Sequence, residues 1–225
     1  MHSMWRGGEE HSPNSKGVLG EWRETSSQLR RILGRSSVRP GHIYIFLYEA
    51  SRRGGLVSRY ILMRETGLTE ARAKTFMRKM IELGLARSMK GGHHLTERGE
   101  KLSKYLLNLV SDYSVKYKAI KNELDGWATY VKPVFKRELL IWLRDQVIRL
   151  GGEAALILRI KEGDIFFPES NERLERYHPD LYNELVGKPV FNKSSFIILS
   201  YAKTTEVARL SSLDTALTYL EILGY

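Results

Sequence analysis

From Gly41 to Leu109 apolar residues recur every three or four positions, and glycines break the pattern into four short predicted helices with a hairpin before the last. Ile43, Phe46, Leu47 and Ala50 make the first stripe, which starts after Pro40 and closes at Arg52-Arg53-Gly54-Gly55. Leu56-Val57 is short and extended. Ser58 is placed to cap a helix over Arg59 to Thr66, because its hydroxyl can accept a first-turn N–H that has no partner inside the helix. Tyr60 or Ile61, with Leu62, faces inward. Gly67 ends that helix, since glycine takes the left-handed conformation without steric penalty. Thr69 caps a helix over Glu70 to Leu83 that carries Ala73, Met77, Met80 and Gly84 on one side. Ala71, Thr75, Arg78 and Lys79 point the opposite way, flanked by Arg72 and Lys74. Leu85 to Met89 alternates like a strand, Lys90-Gly91-Gly92 is a turn, and His93 to Leu95 is the return strand. Thr96 opens a helix running to about Ser111, with Leu102, Tyr105, Leu106, Leu109 and Val110 apolar.

The second half changes period. Val115, Tyr117, Ala119 and then Trp127, Thr129, Val131 alternate as two strands, with Asp125-Gly126 as the turn between them. Leu139, Leu140, Leu143, Val147 and Leu150 form a helical stripe stopped by Gly151-Gly152. AALILRI is a buried strand, and Lys161 to Asp164 is a hairpin turn into IFFP. NERLERYHPDLYNELVGKP is polar and helical in parts, with Pro179 starting its second piece. SSFIILSYA is a strand, and Thr204 or Thr205 caps a final helix from Glu206 to about Leu223. That succession predicts an α+β sandwich with helices covering one face of a sheet. Helix, helix, tight turn, helix and hairpin before it predict a winged helix-turn-helix. The expected fold class is therefore α+β, with a flexible tail over 1–37, a winged helix over 38–112 and an α/β sandwich over 113–225.

Charge sharpens this division. The net charge is +10 over 225 residues. Val38 to Val110 holds 14 Lys and Arg against 6 Asp and Glu, whereas Ser111 to Tyr225 holds 16 of each. A basic first part and a neutral second part predict that the first meets a polyanion and the second does not. The leading residues are rich in Gly, Ser, Glu and Arg and read as disordered. Within them Leu19, Trp22, Leu29, Ile32 and Leu33 fit one short amphipathic helix, and Arg30, Arg31 and Arg35 are in reach of phosphate. The absence of cysteine excludes disulfides and thiolate metal sites and fits a cytoplasmic protein. No apolar run reaches the ~20 residues that span a bilayer. The N-terminus shows no signal-peptide core. No membrane partner is expected.

The outward face of the helix over Glu70 to Leu83 offers Arg72, Lys74, Thr75, Arg78 and Lys79. Arg can bond a guanine edge through two donors, and Lys and Thr can hold phosphates or read bases. The bland alternative is an ordinary solvated face. Arg59 and, on the hairpin, Arg87, Lys90, His93 and His94 are placed as phosphate anchors. The adjacent histidines invite a metal, but neighbours on a strand point to opposite faces and no third ligand is near in sequence. No phosphate loop or nucleophile motif is present, and Gly151-Gly152 reads as a helix stop. Asp164, Glu169, Glu172 and Glu175 read as a solvated run, and His178 as a structural histidine. Neither an enzyme nor a cofactor is expected. Phe166, Phe167, Tyr177 and Tyr182 fill a core or line a ligand pocket.

The run from Gly55 to Gly99, with VSRYIL, ETGLTEARAKTFMRKMIELGL and HHLTERGEKL, resembles the winged-helix domain of archaeal transcriptional regulators. The second half, with GGEAALIL, EGDIFFPE, RYHPDL and SSFIILSYAKT, resembles the C-terminal domain of an archaeal winged-helix family whose second domain has no known function. It is also expected to be similar in fold to the insert domain of some aspartyl-tRNA synthetases and tRNA-dependent amidotransferases, a likeness that carries no function. The resemblance implies a transcriptional regulator that reads double-stranded DNA with the helix 70–83 and a wing at 86–95. A homodimer is expected, because one recognition helix makes few base contacts, and the second domain senses a small-molecule effector, dimerises, or does both. The alternative is an RNA- or tRNA-associated factor, or a protein-interaction module, that has no operator DNA.

Overall fold

The computed structural model describes residues 38–117 and 124–225, together with Glu24, Ser27 and Gln28. The tail stripe from Leu19 to Leu33 and the arginines Arg30, Arg31 and Arg35 lie outside these residues, as does Ala119.

The first elements are helix α1 (Pro40–Arg52), strand β1 (Leu56–Val57), and helices α2 (Arg59–Thr66) and α3 (Glu70–Glu82). Strands β2 (Ala86–Met89) and β3 (Gly92–Leu95) and helix α4 (Glu97–Leu109) follow. The three strands form an antiparallel sheet in the order β1-β3-β2. The caps sit where the sequence places them. Ser58 accepts the Ile61 N–H, Thr96 accepts the Gly99 N–H, and Gly67 ends α2 at φ 67. Thr69 occupies the cap position of α3, but its side chain makes no cap bond.

The chain leaves α4 at Leu109 and enters strand β4 (Val110–Val115) directly, earlier than the alternation at Val115 and Tyr117 suggests. Asp112 masks this strand in the sequence, because a charged residue sits at one of its buried positions. Strand β5 (Asp125–Val131) pairs with β4. Asp125 and Gly126, expected in a turn, lie inside β5 opposite Ala202 and Tyr201. A Cβ at Gly126 would come within 2.8 Å of the Tyr201 ring, so this glycine makes room for an aromatic.

A 3-10 turn (Arg137–Leu139) precedes helix α5 (Leu140–Arg149), so the predicted stripe becomes regular α-helix only at Leu140. Strands β6 (Ala154–Lys161) and β7 (Asp164–Phe166) join through Glu162 and Gly163, both at positive φ, as a two-residue hairpin turn requires. Helices α6 (Leu174–Tyr177) and α7 (Pro179–Val186), strand β8 (Phe196–Ala202) and helix α8 (Thr205–Leu223) complete the chain. Thr204 accepts the Val207 N–H and so caps α8.

The large sheet runs β4-β5-β8-β6-β7, antiparallel throughout. All seven residues of β8 are buried. Alternation sends Phe196 and Ile198 into a core with α5 and α8, and Ile197, Leu199 and Tyr201 into a second core with Leu174, Leu181 and Leu185 of α6 and α7. Helices therefore cover both faces, a correction to the single covered face that the sequence predicts. A central strand apolar on both sides can leave neither side to water.

The first core does not stop at the N-terminal elements. Ile43, Phe46 and Leu47 of α1, Phe76 and Met80 of α3, and Leu213, Leu217 and Leu220 of α8 belong to one apolar cluster. The expected boundary at 112/113 falls inside β4. Polar contacts cross the same seam. Buried Asp214 on α8 accepts the Gly41 N–H at 2.6 Å and so serves the exposed donors at the amino end of α1 from a distant helix. Arg209 on α8, 5% exposed, donates from Nε to Asp112 of β4 at 2.6 Å, and its Nη1 lies 3.4 Å from Glu65 of α2. No helix among the described residues is long and apolar enough to cross a membrane.

One titratable group in this core gives a pH prediction. The Nδ1 of His42 accepts the Arg39 N–H at 2.9 Å in the first turn of α1. Burial pushes the His42 pKa down to about 4 against the upward pull of a backbone bond to Arg39. The unfolded chain holds this proton more tightly, so the stability tied to neutral His42 is present above its usual pKa of about 6.5 and is lost as pH falls through about 4. Urea denaturation is expected to show a loss of about 3 kcal/mol from this group between pH 7 and pH 4, read as the difference between wild type and His42→Gln. Superimposable profiles would exclude it.

Candidate nucleic-acid interface

Helix α3 buries Ala73, Phe76, Met77 and Met80. Phe76, missing from the predicted stripe, meets Phe46 of α1 edge-on with centroids 5.9 Å apart. The opposite face exposes Ala71, Arg72, Lys74, Thr75 and Arg78. Arg78 is 68% exposed and lies 3.6 Å from Glu82, a solvent-screened pair of the kind worth little. Lys79 departs from the predicted outward face. Its side chain is 20% exposed and its ammonium is tied to Glu82, because position 79 flanks the buried stripe. The Thr75 hydroxyl donates to the Ala71 carbonyl at 3.0 Å.

Arg59 opens α2 and lies 3.7 Å from Glu70 of α3. On the hairpin Arg87, Ser88, Met89 and Lys90 are exposed, and His93 and His94 are half-buried. Strand β3 is central, pairing His93 with Val57 and Ser88, and His94 with Leu56 and Arg87. The two histidines part company as a strand demands. The His94 ring lies against Gly55, while His93 lines a cleft of about 390 Å³ between the start of α2 and the hairpin tip. Arg59, Tyr60, Ser88, Met89 and Gly92 share that cleft. Burial pushes the His93 imidazole pKa down, and the Arg59 charge pushes the same way. The His93 Nδ1 is buried without a hydrogen-bond partner.

Two large apolar cleft residues stand outside the sequence-based set. Tyr60 is 71% exposed and Met89 is 47% exposed. Of the pair Tyr60 and Ile61, it is Ile61 that packs against the core. The signal that could have found Tyr60 is its neighbour. An aromatic directly after a basic residue in the first turn of a helix falls beside that residue at the helix end.

A second cleft of about 390 Å³ lies in the other half, where Arg144 of α5, Leu156 and Ile157 of β6, Phe167, Tyr177 and His178 meet. Of the four aromatics considered there, Phe167 and Tyr177 line it, with centroids 6.0 Å apart, while Tyr182 packs against the second core. Phe166 is part of β7. Three of the four acidic residues are held in pairs. Arg144 holds Glu169 at 3.1 Å, Arg173 holds Asp164 at 3.0 Å, and the Tyr177 hydroxyl donates to Glu172 at 2.6 Å. His178 Nδ1 lies 2.9 Å from the Tyr117 hydroxyl. Glu175 is exposed.

A comparison with curated proteins finds no match. Among solved structures, a hypothetical protein from Pyrococcus horikoshii OT3 is similar at 25% identity with a TM-score of 0.64, over 81% of this chain and 95% of that one. Residues 128–220, the stretch holding α5 to α7 and most of β5 and α8, match a family described as a domain of unknown function, DUF4443.

Proposed function

We propose that residues 38–110 form a winged helix that binds double-stranded DNA, with α3 as the reading helix and the β2-β3 hairpin as the wing. The carrying observation is the exposed side of α3, where Arg72, Lys74, Thr75 and Arg78 stand together while the opposite side is fully buried. A helix held by one face and basic on the other is what a major groove accepts, and the hairpin beside it supplies Arg87 and Lys90 for flanking phosphates. The excess positive charge of this half agrees. The whole chain then acts as a transcriptional regulator. One such helix makes few base contacts, so a homodimer on half-sites roughly 34 Å apart is the expected unit. The cleft at Phe167, Tyr177 and His178 is the place for a small-molecule effector.

Fluorescence anisotropy across a salt series tests this. The triple variant Arg72→Ala, Lys74→Ala, Arg78→Ala is expected to lower the slope of log affinity against log salt by about 2 to 3 and to weaken duplex binding at least about tenfold. Lys79→Ala, at a position turned toward Glu82, is expected to change the slope by less than half of one contact. An unchanged slope in the triple variant would remove α3 from the interface. Preferential binding of structured RNA would favour the translation-associated alternative.

A further inference from the structure

We propose that the cleft between α2 and the hairpin receives a single nucleotide drawn out of the base stack of the bound DNA. This rests on the reading of residues 38–110 as a DNA-binding unit and adds to it a site for an unstacked base.

Several observations converge on the cleft. Its walls carry Tyr60 and Met89, both exposed large apolar side chains, on a basic surface. A duplex backbone presents phosphates and sugars, which call for cations and hydroxyls. An exposed ring and a thioether instead match the flat face of a base. The volume, about 390 Å³, is far more than one phosphate fills and falls in the range of small-ligand sites. His93, on the cleft wall, has a buried Nδ1 without a hydrogen-bond partner. Arg59 stands at the cleft with a guanidinium for the phosphate of the same nucleotide. The shape is fixed from behind, since a Cβ at Gly92 would lie 2.8 Å from the Val57 carbonyl oxygen. The hairpin tip therefore lies close against β1 at a position that has no side chain.

Extruding a base is least costly where it is already unpaired. The signature is thus a preference for DNA carrying one unpaired base. The test uses short duplexes of one sequence at low salt, one fully paired, one with 2-aminopurine in a pair and one with an extra unpaired 2-aminopurine. The bulged duplex is expected to bind about tenfold more tightly than the paired one, and its 2-aminopurine emission is expected to fall on binding as the base stacks in the cleft. Tyr60→Ala is expected to abolish the preference and the quenching, and Met89→Ala to reduce both. Each side chain is exposed, and circular dichroism is the check that the variants keep their fold. Equal binding of bulged and paired duplexes with unquenched emission overturns the nucleotide site and leaves the duplex reading standing. A preference that survives Tyr60→Ala also overturns it. Failure to bind any of the three DNAs overturns both.

Discussion

Replacing Arg209 with methionine is expected to destabilise the protein by about 3–5 kcal/mol, the range for breaking a buried ion pair by removing one partner. The guanidinium joins three elements. From α8 it reaches Asp112 on β4 at 2.6 Å and Glu65 on α2 at 3.4 Å, and it lies 4.9 Å from the centre of the Trp127 ring on β5. The Trp127 indole N–H donates to the same Asp112 oxygen at 2.9 Å. Without Arg209 the Asp112 carboxylate stays buried, with that indole as its remaining donor among these groups, and an uncompensated charge in a low-dielectric site is costly. Thermal denaturation is expected to show a drop of roughly 10 °C at a few degrees per kcal/mol for a chain of this size. Arg209→Lys is expected to recover little, because a point charge cannot replace the planar fork that bonds and stacks together. Adding Asp112→Asn to Arg209→Met removes the stranded charge and is expected to restore a good part of the loss. A non-additive double-mutant cycle is therefore the decisive readout, and strict additivity would show that the two side chains do not act together. Hydrogen exchange gives an independent view. The amides of α2 are expected to lose protection along with those of β4, since Glu65 ties α2 to the same node.

The local pieces of this architecture were largely legible in the sequence, and the reasons are physical. Ser58, Thr96 and Thr204 cap helices because each precedes a run whose first N–H groups need an acceptor. Glu162-Gly163 turns a hairpin because two adjacent residues can take positive φ there. What could not be read were contacts made by residues far apart in the chain. Asp112 looks like a surface residue until Arg209, 97 positions later, is brought beside it. Gly126 looks like a turn until the Tyr201 ring arrives over it. The covering of both sheet faces depends on α6 and α7, whose sequence is polar enough to suggest a solvated segment although Leu174, Leu181 and Leu185 are fully buried. For the candidate interface, helical periodicity placed Arg72, Lys74, Thr75 and Arg78 outward. It failed for Lys79, which lies at the border of the stripe where one residue's rotation decides between solvent and core. Tyr60 was not separable from Ile61 by periodicity alone, since neither stands at helical spacing from Leu62 and Thr66, the buried residues of that eight-residue helix.

Gly99→Ala is the second substitution with a large expected effect, and its sign runs against helix propensity. Alanine in a helix interior normally gains about 0.5–1 kcal/mol over glycine. Here a Cβ would stand 2.1 Å from the Leu85 carbonyl oxygen and 3.3 Å from a Leu95 methyl. The first clash is with backbone, so no side-chain rotation relieves it, and α4 must move away from the start of the hairpin. That movement would pull on a tight set of bonds. The Leu85 carbonyl accepts the Thr96 N–H at 3.1 Å, the Thr96 hydroxyl donates to the Gly84 carbonyl at 2.5 Å, and Arg98 donates to the Leu83 carbonyl at 2.7 Å. Together these tie the amino end of α4 to the carboxyl end of α3, and the LTERG stretch acquires a physical meaning as the joint that sets the hairpin against α3. Overpacking at such a joint is expected to destabilise by about 1–3 kcal/mol. Glu100→Ala, one position on and exposed, serves as the neutral control. The variant's consequence for binding separates the joint from general instability. On the proposed DNA-binding reading, at a temperature where Gly99→Ala remains folded, contacts by α3 are expected to persist, whereas those by Arg87 and Lys90 on the displaced hairpin are expected to be lost. The salt slope is then expected to fall by about 2. A Gly99→Ala protein that is as stable as wild type, or more so, would show that α4 does not press on Leu85.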